Sequence, residues 1–179
     1  PSFYQPAQAS HAIGVAVAPR PAAATSPINA TLFQQIVREV IPFIMDNMYK
    51  YGKDDDTWFF VSWDATTGAK KSEIADTAYI DYLLLAYLYT GNKTYLDWGI
   101  RAWNAYYAHG FYDGIPANFN ITSNQVELTT ISSPQPYIFI AATLALYELT
   151  GNKTYLDVAD STSSVFLAKF FNSTTGLFY

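Results

Sequence analysis

From Thr31 onward, Phe33, Val37, Val40, Ile41, Ile44 and Met48 recur at helical spacing and leave Gln34, Arg38, Glu39 and Asp46 largely off that face. The spacing predicts an amphipathic helix over 31–51, with Pro42 as a point of kinking. Two later segments, Ala78 to Tyr89 and Tyr137 to Leu149, are apolar nearly all round, the pattern of a helix buried on every side. Behind each, the apolar residues narrow to one stripe. It comprises Leu96, Ile100, Trp103 and Tyr107 in the first case and Leu156, Ala159, Phe166 and Phe170 in the second, where Ser163 interrupts it. These patterns predict two inner and two outer helices. Residues 1–29, rich in Ala, Pro and Ser, sustain no period and read as an extended arm or linker, which leaves 30–179 as one domain.

The inner and outer segments belong to an internal repeat. Thr90-Gly91-Asn92-Lys93-Thr94-Tyr95-Leu96-Asp97 returns unchanged as Thr150-Gly151-Asn152-Lys153-Thr154-Tyr155-Leu156-Asp157, sixty residues on. Gly91 and Gly151 suit the left-handed residue that closes a helix, and Thr94 with Asp97, or Thr154 with Asp157, has the form of a capping box with the shorter acid. Each unit is therefore expected to be a helical hairpin. An aromatic and turn segment follows each outer helix, at Phe111 to Gly114 and Phe171 to Tyr179, and Trp58 to Gly68 holds the equivalent place after the first helix. Such units cannot bury their faces alone.

Composition narrows the chemistry. Of the 179 residues, 50% are hydrophobic and only 14% charged, against a usual figure of about 25%, so something other than charge must solvate the surface. A net charge of −5 supplies no attraction to phosphates and argues against nucleic acid or an anionic membrane as partner. No stretch reaches the roughly eighteen uninterrupted apolar residues of a membrane span, since Asp81 interrupts one candidate and Glu148 ends the other. The chain contains no Cys and only His11 and His109, which removes thiol catalysis and thiolate metal sites. No Gly-x-Ser-x-Gly element or phosphate-cradling loop is present, so no cofactor is expected and carboxylates are nearly all that remain for acid and base work. Five of the nine asparagines, Asn29, Asn92, Asn120, Asn152 and Asn172, stand in Asn-x-Ser/Thr sequons, which suggests an N-glycosylated protein that is extracellular or at the cell surface.

An apolar helix, a Leu-Tyr-x-x-Thr-Gly-Asn turn, Tyr-Leu-Asp and an outer helix ending near Phe-x-x-x-x-Gly-x-Phe-Tyr together resemble the six-hairpin α/α-toroid superfamily. It includes many glycoside hydrolases and the N-acylglucosamine type of sugar epimerase. The resemblance spans roughly 31–179 and implies an all-α fold of helical hairpins forming part of a toroid, with short strand-like aromatic loops between them. Six units at this offset would need about 360 residues. The chain is thus expected to be either a piece of a longer product or a short toroid whose open ends are covered by another chain or a second copy.

The resemblance also directs attention to loops that enter inner helices, where toroid enzymes build their clefts. Asp76 sits there, and two readings fit it: one of the paired carboxylates that glycoside hydrolysis needs, or a helix N-cap. Asp54, Asp55 and Asp56 precede an aromatic run that contains Trp58 and Trp63. Adjacent like charges can raise one pKa into the range of a general acid, and flat indoles can stack on sugar rings, though a solvated acidic turn beside core aromatics has the same composition. Asp64 and Asp113 hold comparable loop positions and fit either a sugar-contacting or a turn-forming role.

The expected function is an extracellular carbohydrate-active domain acting on a glycan with Asp76 and Asp55 or Asp56 as its carboxylates, and Trp58, Trp63 and Asp113 against the substrate. The alternative is a non-catalytic surface glycoprotein, completed by a partner chain or by self-assembly.

Overall fold

The computed structural model describes residues 30–51, 57–63, 68–127 and 135–178. The arm at 1–29 and the aspartates Asp54, Asp55, Asp56 and Asp64 lie outside the described residues, and of Trp63 only the backbone is described.

Among the described residues, five α-helices carry the fold: α1 (Ala30–Asp46), α2 (Ala78–Thr90), α3 (Lys93–His109), α4 (Gln135–Thr150) and α5 (Lys153–Phe170). The two hairpins are α2 with α3 and α4 with α5, and the inner helices α2 and α4 pack on each other. Gly91 and Gly151 take the left-handed conformation, with φ of 71° and 70°, and their N–H groups return to the carbonyls of Tyr87 and Tyr147 at 2.8 Å. The hairpins are close packed: a Cβ on Gly99 of α3 would stand 3.2 Å from Leu84 Cδ2 of α2. Trp103 of α3 reaches across to the second hairpin, donating from Nε1 to Thr143 Oγ1 at 2.8 Å, and Thr143 donates in turn to the Phe139 carbonyl at 2.7 Å. Trp103 also stacks on Phe139 at 5.9 Å and meets Tyr155 edge-on at 4.7 Å, so one indole joins α3, α4 and α5.

Several expectations shift in detail. The first helix ends at Asp46 and not near residue 51: Asn47 closes it through its side-chain amide, which donates to the Phe43 carbonyl at 2.8 Å, and Met48–Tyr51 continues as strand β1. Pro42 lies inside α1. The outer helices begin two residues earlier than the Thr-x-x-Asp pattern implies. Asn92 and Asn152 are the extended N-caps, and their Oδ1 atoms accept the N–H of Thr94 and Thr154 at 3.1 Å. The buried stripe of α5 is Tyr155, Val158, Ala159, Thr162 and Phe166; Leu156 is exposed. The inner helices are not buried all round, because Tyr82, Leu85, Leu88 and Tyr89 of α2 and Tyr137 and Leu144 of α4 are each 40–56% exposed.

Strands fill the end of the bundle from which the inner helices start. Two-stranded antiparallel hairpins follow each outer-type helix: β1 with β2 (Thr57–Phe60), β5 (Phe111–Tyr112) with β6 (Ile115–Pro116), and β9 (Phe171–Asn172) with β10 (Leu177–Phe178). A four-stranded antiparallel sheet, ordered β3 (Ser62–Trp63), β4 (Lys70–Ser72), β7 (Asn118–Asn120) and β8 (Gln125–Glu127), leads by a single 3-10 turn, Ile74–Thr77, into α2. Phe59 of β2 is fully buried, edge-on to Tyr106 of α3 at 5.2 Å and stacked on Phe119 of β7 at 5.0 Å, which fastens this end to the helical core.

Candidate active site

The 3-10 turn is held from three sides. Asn118 Oδ1 accepts the Ile74 N–H at 2.8 Å, Thr77 Oγ1 donates to the Ile74 carbonyl at 2.7 Å, and the buried Tyr106 hydroxyl donates to the Glu73 carbonyl at 2.8 Å. Ser72 Oγ donates to the Phe60 carbonyl at 2.5 Å, and the hydroxyls of Ser72 and Tyr106 meet each other. Burial raises the Tyr106 phenol well above its ordinary value, with the charge of Asp76 adding to the effect, so it stays a neutral hydrogen-bonding group. These bonds satisfy polar atoms that would otherwise be buried and unpaired, and they fix the backbone that carries Asp76.

Asp76 is the third residue of that turn and not its N-cap; Glu73 is the cap, and Asp76 Oδ2 accepts its N–H at 2.8 Å. The other carboxyl oxygen has no hydrogen bond among the described residues. The side chain is half-buried and lines a recess of about 130 Å³ with Phe43, Ile44 and Asn47 of the α1 end, Phe60 and Val61 of the β2 end, and Tyr79 of α2. Burial pushes the Asp76 pKa up to about 6; the Glu73 N–H bond pulls it back, and the Glu73 charge adds to the rise. The recess is smaller than a typical ligand pocket of roughly 300–1,000 Å³, so it fits part of a ligand and not a whole one.

A second carboxylate is perturbed in the same direction. Asp81, whose only role in the hydrophobic pattern was to interrupt an apolar run, is half-buried on α2, and burial pushes its pKa up to about 6. It shares a groove of about 350 Å³ with Leu84, Leu85 and Leu88 of α2 and Ala145, Glu148 and Leu149 of α4. The residue signal was present: a lone acid inside an otherwise apolar helix. Asp76 and Asp81 line different depressions, so they do not form a pair across one bond.

Among the described residues, the candidates Trp58 and Asp113 do not line the Asp76 recess. Trp58 is half-buried and packs edge-on against Trp98 of α3 at 4.9 Å. Asp113 occupies the β5–β6 turn with a φ of 50° and forms an ion pair with Lys169. The sequon asparagines Asn92 and Asn152 cap helices, Asn120 bonds Glu127 at 2.9 Å, Asn172 Oδ1 accepts the N–H of Thr174 at 2.9 Å, and Asn29 lies outside the described residues. No helix among the described residues is long and apolar enough to cross a membrane.

Among solved structures, a Listeria innocua protein aligns with a TM-score of 0.66 at 17% identity, over 83% of this chain and 42% of its own length. A family 76 α-mannanase of Bacteroides thetaiotaomicron aligns with a TM-score of 0.66 at 18% identity, over 79% of this chain and 39% of that one. A family 76 mannosidase from the same organism gives 0.59 at 18% identity, over 78% and 40%. The likeness establishes the α/α-toroid fold, and the chain spans about two-fifths of the length of these structures. No curated protein is significantly similar in sequence. The model of glycosyl hydrolase family 76 matches residues 58–179, two-thirds of the chain, and the protein belongs to that family as a glycoside hydrolase-like toroid domain.

Proposed function

We propose that this domain is exported and processes an α-mannan-type glycan, with Asp76 as the proton-donating carboxyl. The observation that carries the reading is the half-buried Asp76, held by the Glu73 N–H with its other oxygen free of hydrogen bonds among the described residues, over a recess walled by Phe60, Tyr79 and Phe43. A carboxyl with a pKa of about 6 keeps its proton to higher pH than an ordinary aspartate and so can donate it to a departing glycosidic oxygen. Apolar and aromatic walls suit the carbon-rich face of a sugar ring. The mannan class comes from the two family 76 structures, whose proteins are a mannanase and a mannosidase.

Hydrolysis needs a second carboxylate, about 5–5.5 Å from the first in a retaining enzyme or about 6.5–9.5 Å in an inverting one. The reading assigns it to Asp55 or Asp56, on the segment joining β1 to β2. Asp56 directly precedes β2, four residues from Phe60 or about 13 Å of extended strand. The test is sugar release from α-mannan oligosaccharides by the chain and by Asp76→Asn. The variant is expected to lose at least about a hundredfold in rate with its helical circular dichroism unchanged; full activity in Asp76→Asn contradicts the assignment.

A second reading draws on the open inner face of α2 and α4. In it the domain is a non-catalytic glycoprotein whose apolar face is covered by further toroid hairpins on a partner chain or a second copy. It predicts a stoichiometric complex and no turnover on any mannan, with Asp76→Asn indistinguishable from the parent.

A further inference from the structure

The repeat turns lie at the end of the bundle away from Asp76. Asn92 stands two residues beyond the end of α2, whose thirteen residues span about 20 Å from the 3-10 turn that holds Asp76. Asn152 occupies the same place after α4, and Gly91 shares a depression with Glu148 and Leu149 near the end of α4, so both turns sit side by side at that end. Asn92 and Asn152 are exposed, and each uses only Oδ1, accepting the N–H of Thr94 or Thr154 at 3.1 Å. Neither Nδ2 has a hydrogen-bond partner among the described residues. The adjoining Gly91 and Gly151 face open space, with nothing within 4 Å of a Cβ built on either. Asn120 is different. It is half-buried on β7, its Nδ2 donates to Glu127 Oε1 at 2.9 Å, its Oδ1 accepts the Ser123 N–H at 3.0 Å, and Glu127 is further held by Lys71 at 3.1 Å.

We propose that Asn92 and Asn152, the paired turn asparagines, carry N-linked oligosaccharides and that Asn120 does not. This rests on the reading that the chain is exported, and it adds where the glycans stand relative to the Asp76 recess. The donor is a lipid diphosphate oligosaccharide: a bond forms between Asn Nδ2 and the anomeric carbon, the bond from that carbon to the phosphate oxygen breaks, the lipid diphosphate leaves and Nδ2 gives up one proton. At Asn92 and Asn152 the cap survives, because Oδ1 is untouched and the sugar projects into solvent. At Asn120 the sugar would have to enter the half-buried contact with Glu127. The surface short of charge thereby gains its solvation at the end remote from the recess.

The test is secretion of the whole chain from a eukaryotic host behind a cleavable leader, followed by amidase removal of N-glycans in heavy-oxygen water and peptide mass spectrometry. Heavy aspartate is expected at 92 and 152, with unmodified asparagine at 120. Unlabelled Asn92 or Asn152, or a labelled Asn120, overturns the proposal. Two variants separate glycan from cap: Asn92→Asp keeps a capping oxygen but loses the sequon, and Thr94→Val keeps Asn92 but loses the sequon hydroxyl. Both are expected to remove the same single glycan step on a gel, and a step retained in either overturns the assignment of Asn92. Sugar release measured before and after deglycosylation is expected to be equal, and it stands or falls independently of the labelling pattern.

Discussion

Asp76 and Asp81 stand five residues apart and are perturbed alike, yet only Asp76 has a hydrogen bond that resists the effect of burial. Both have folded-state pKa values of about 6 against an ordinary 3.8, so the native chain binds protons more tightly than the unfolded one between those values. The contribution of these groups to stability is therefore full below about pH 4 and is lost as pH rises through about 6, the reverse of a salt-bridged aspartate. Asp81→Asn is expected to flatten that slope and to raise the melting temperature at pH 7. Denaturation curves at pH 4.5 and 7 for parent and variant check this, and an unchanged difference between the two pH values contradicts it. The buried Tyr106 hydroxyl makes a comparable prediction for position: Tyr106→Phe leaves the Glu73 carbonyl short of this donor and is expected to cost about 1–3 kcal/mol in chemical denaturation.

At the scale of elements, the hairpins depend on turn closure and on one cross-hairpin bond. Gly91→Ala places a Cβ on a residue at φ 71° and is expected to cost about 1–2 kcal/mol, although the site has ample space; a neutral result would mean the turn relaxes. Thr143→Val orphans the buried Trp103 N–H and is expected to cost about 1–3 kcal/mol, read from urea midpoints. Both hairpins were legible in the chain because long apolar runs and an eight-residue repeat over-determine them. The details that escaped are those where local signals compete. Asn92 and Thr94 are both good capping residues, and only backbone geometry decides that Asn92 is extended and Thr94 helical. The four-stranded sheet was not visible because its strands run only two or three residues, too short for alternation to register. Asp76 was legible as a loop acid entering an inner helix, whereas its recess depends on α1 and β2, which the repeat does not encode.

The whole molecule presents an apolar inner face. Leu85 and Leu88 are about half exposed beside the Asp81 groove, and a contiguous patch of this kind seeks cover. The isolated chain is expected to associate as its concentration rises, and the double substitution Leu85→Lys with Leu88→Lys to return it to a monomer. Sedimentation that shows the parent chain monomeric throughout contradicts this.

The proposed chemistry requires that Asp76 hold its proton over a recess that takes up sugar. Carboxyl-resonance titration of Asp76 by NMR, with and without α-mannan oligosaccharides, tests it most directly. A midpoint near pH 6 in the free chain and a displaced resonance when the sugar binds are expected. A midpoint near 4 with no response to sugar contradicts it.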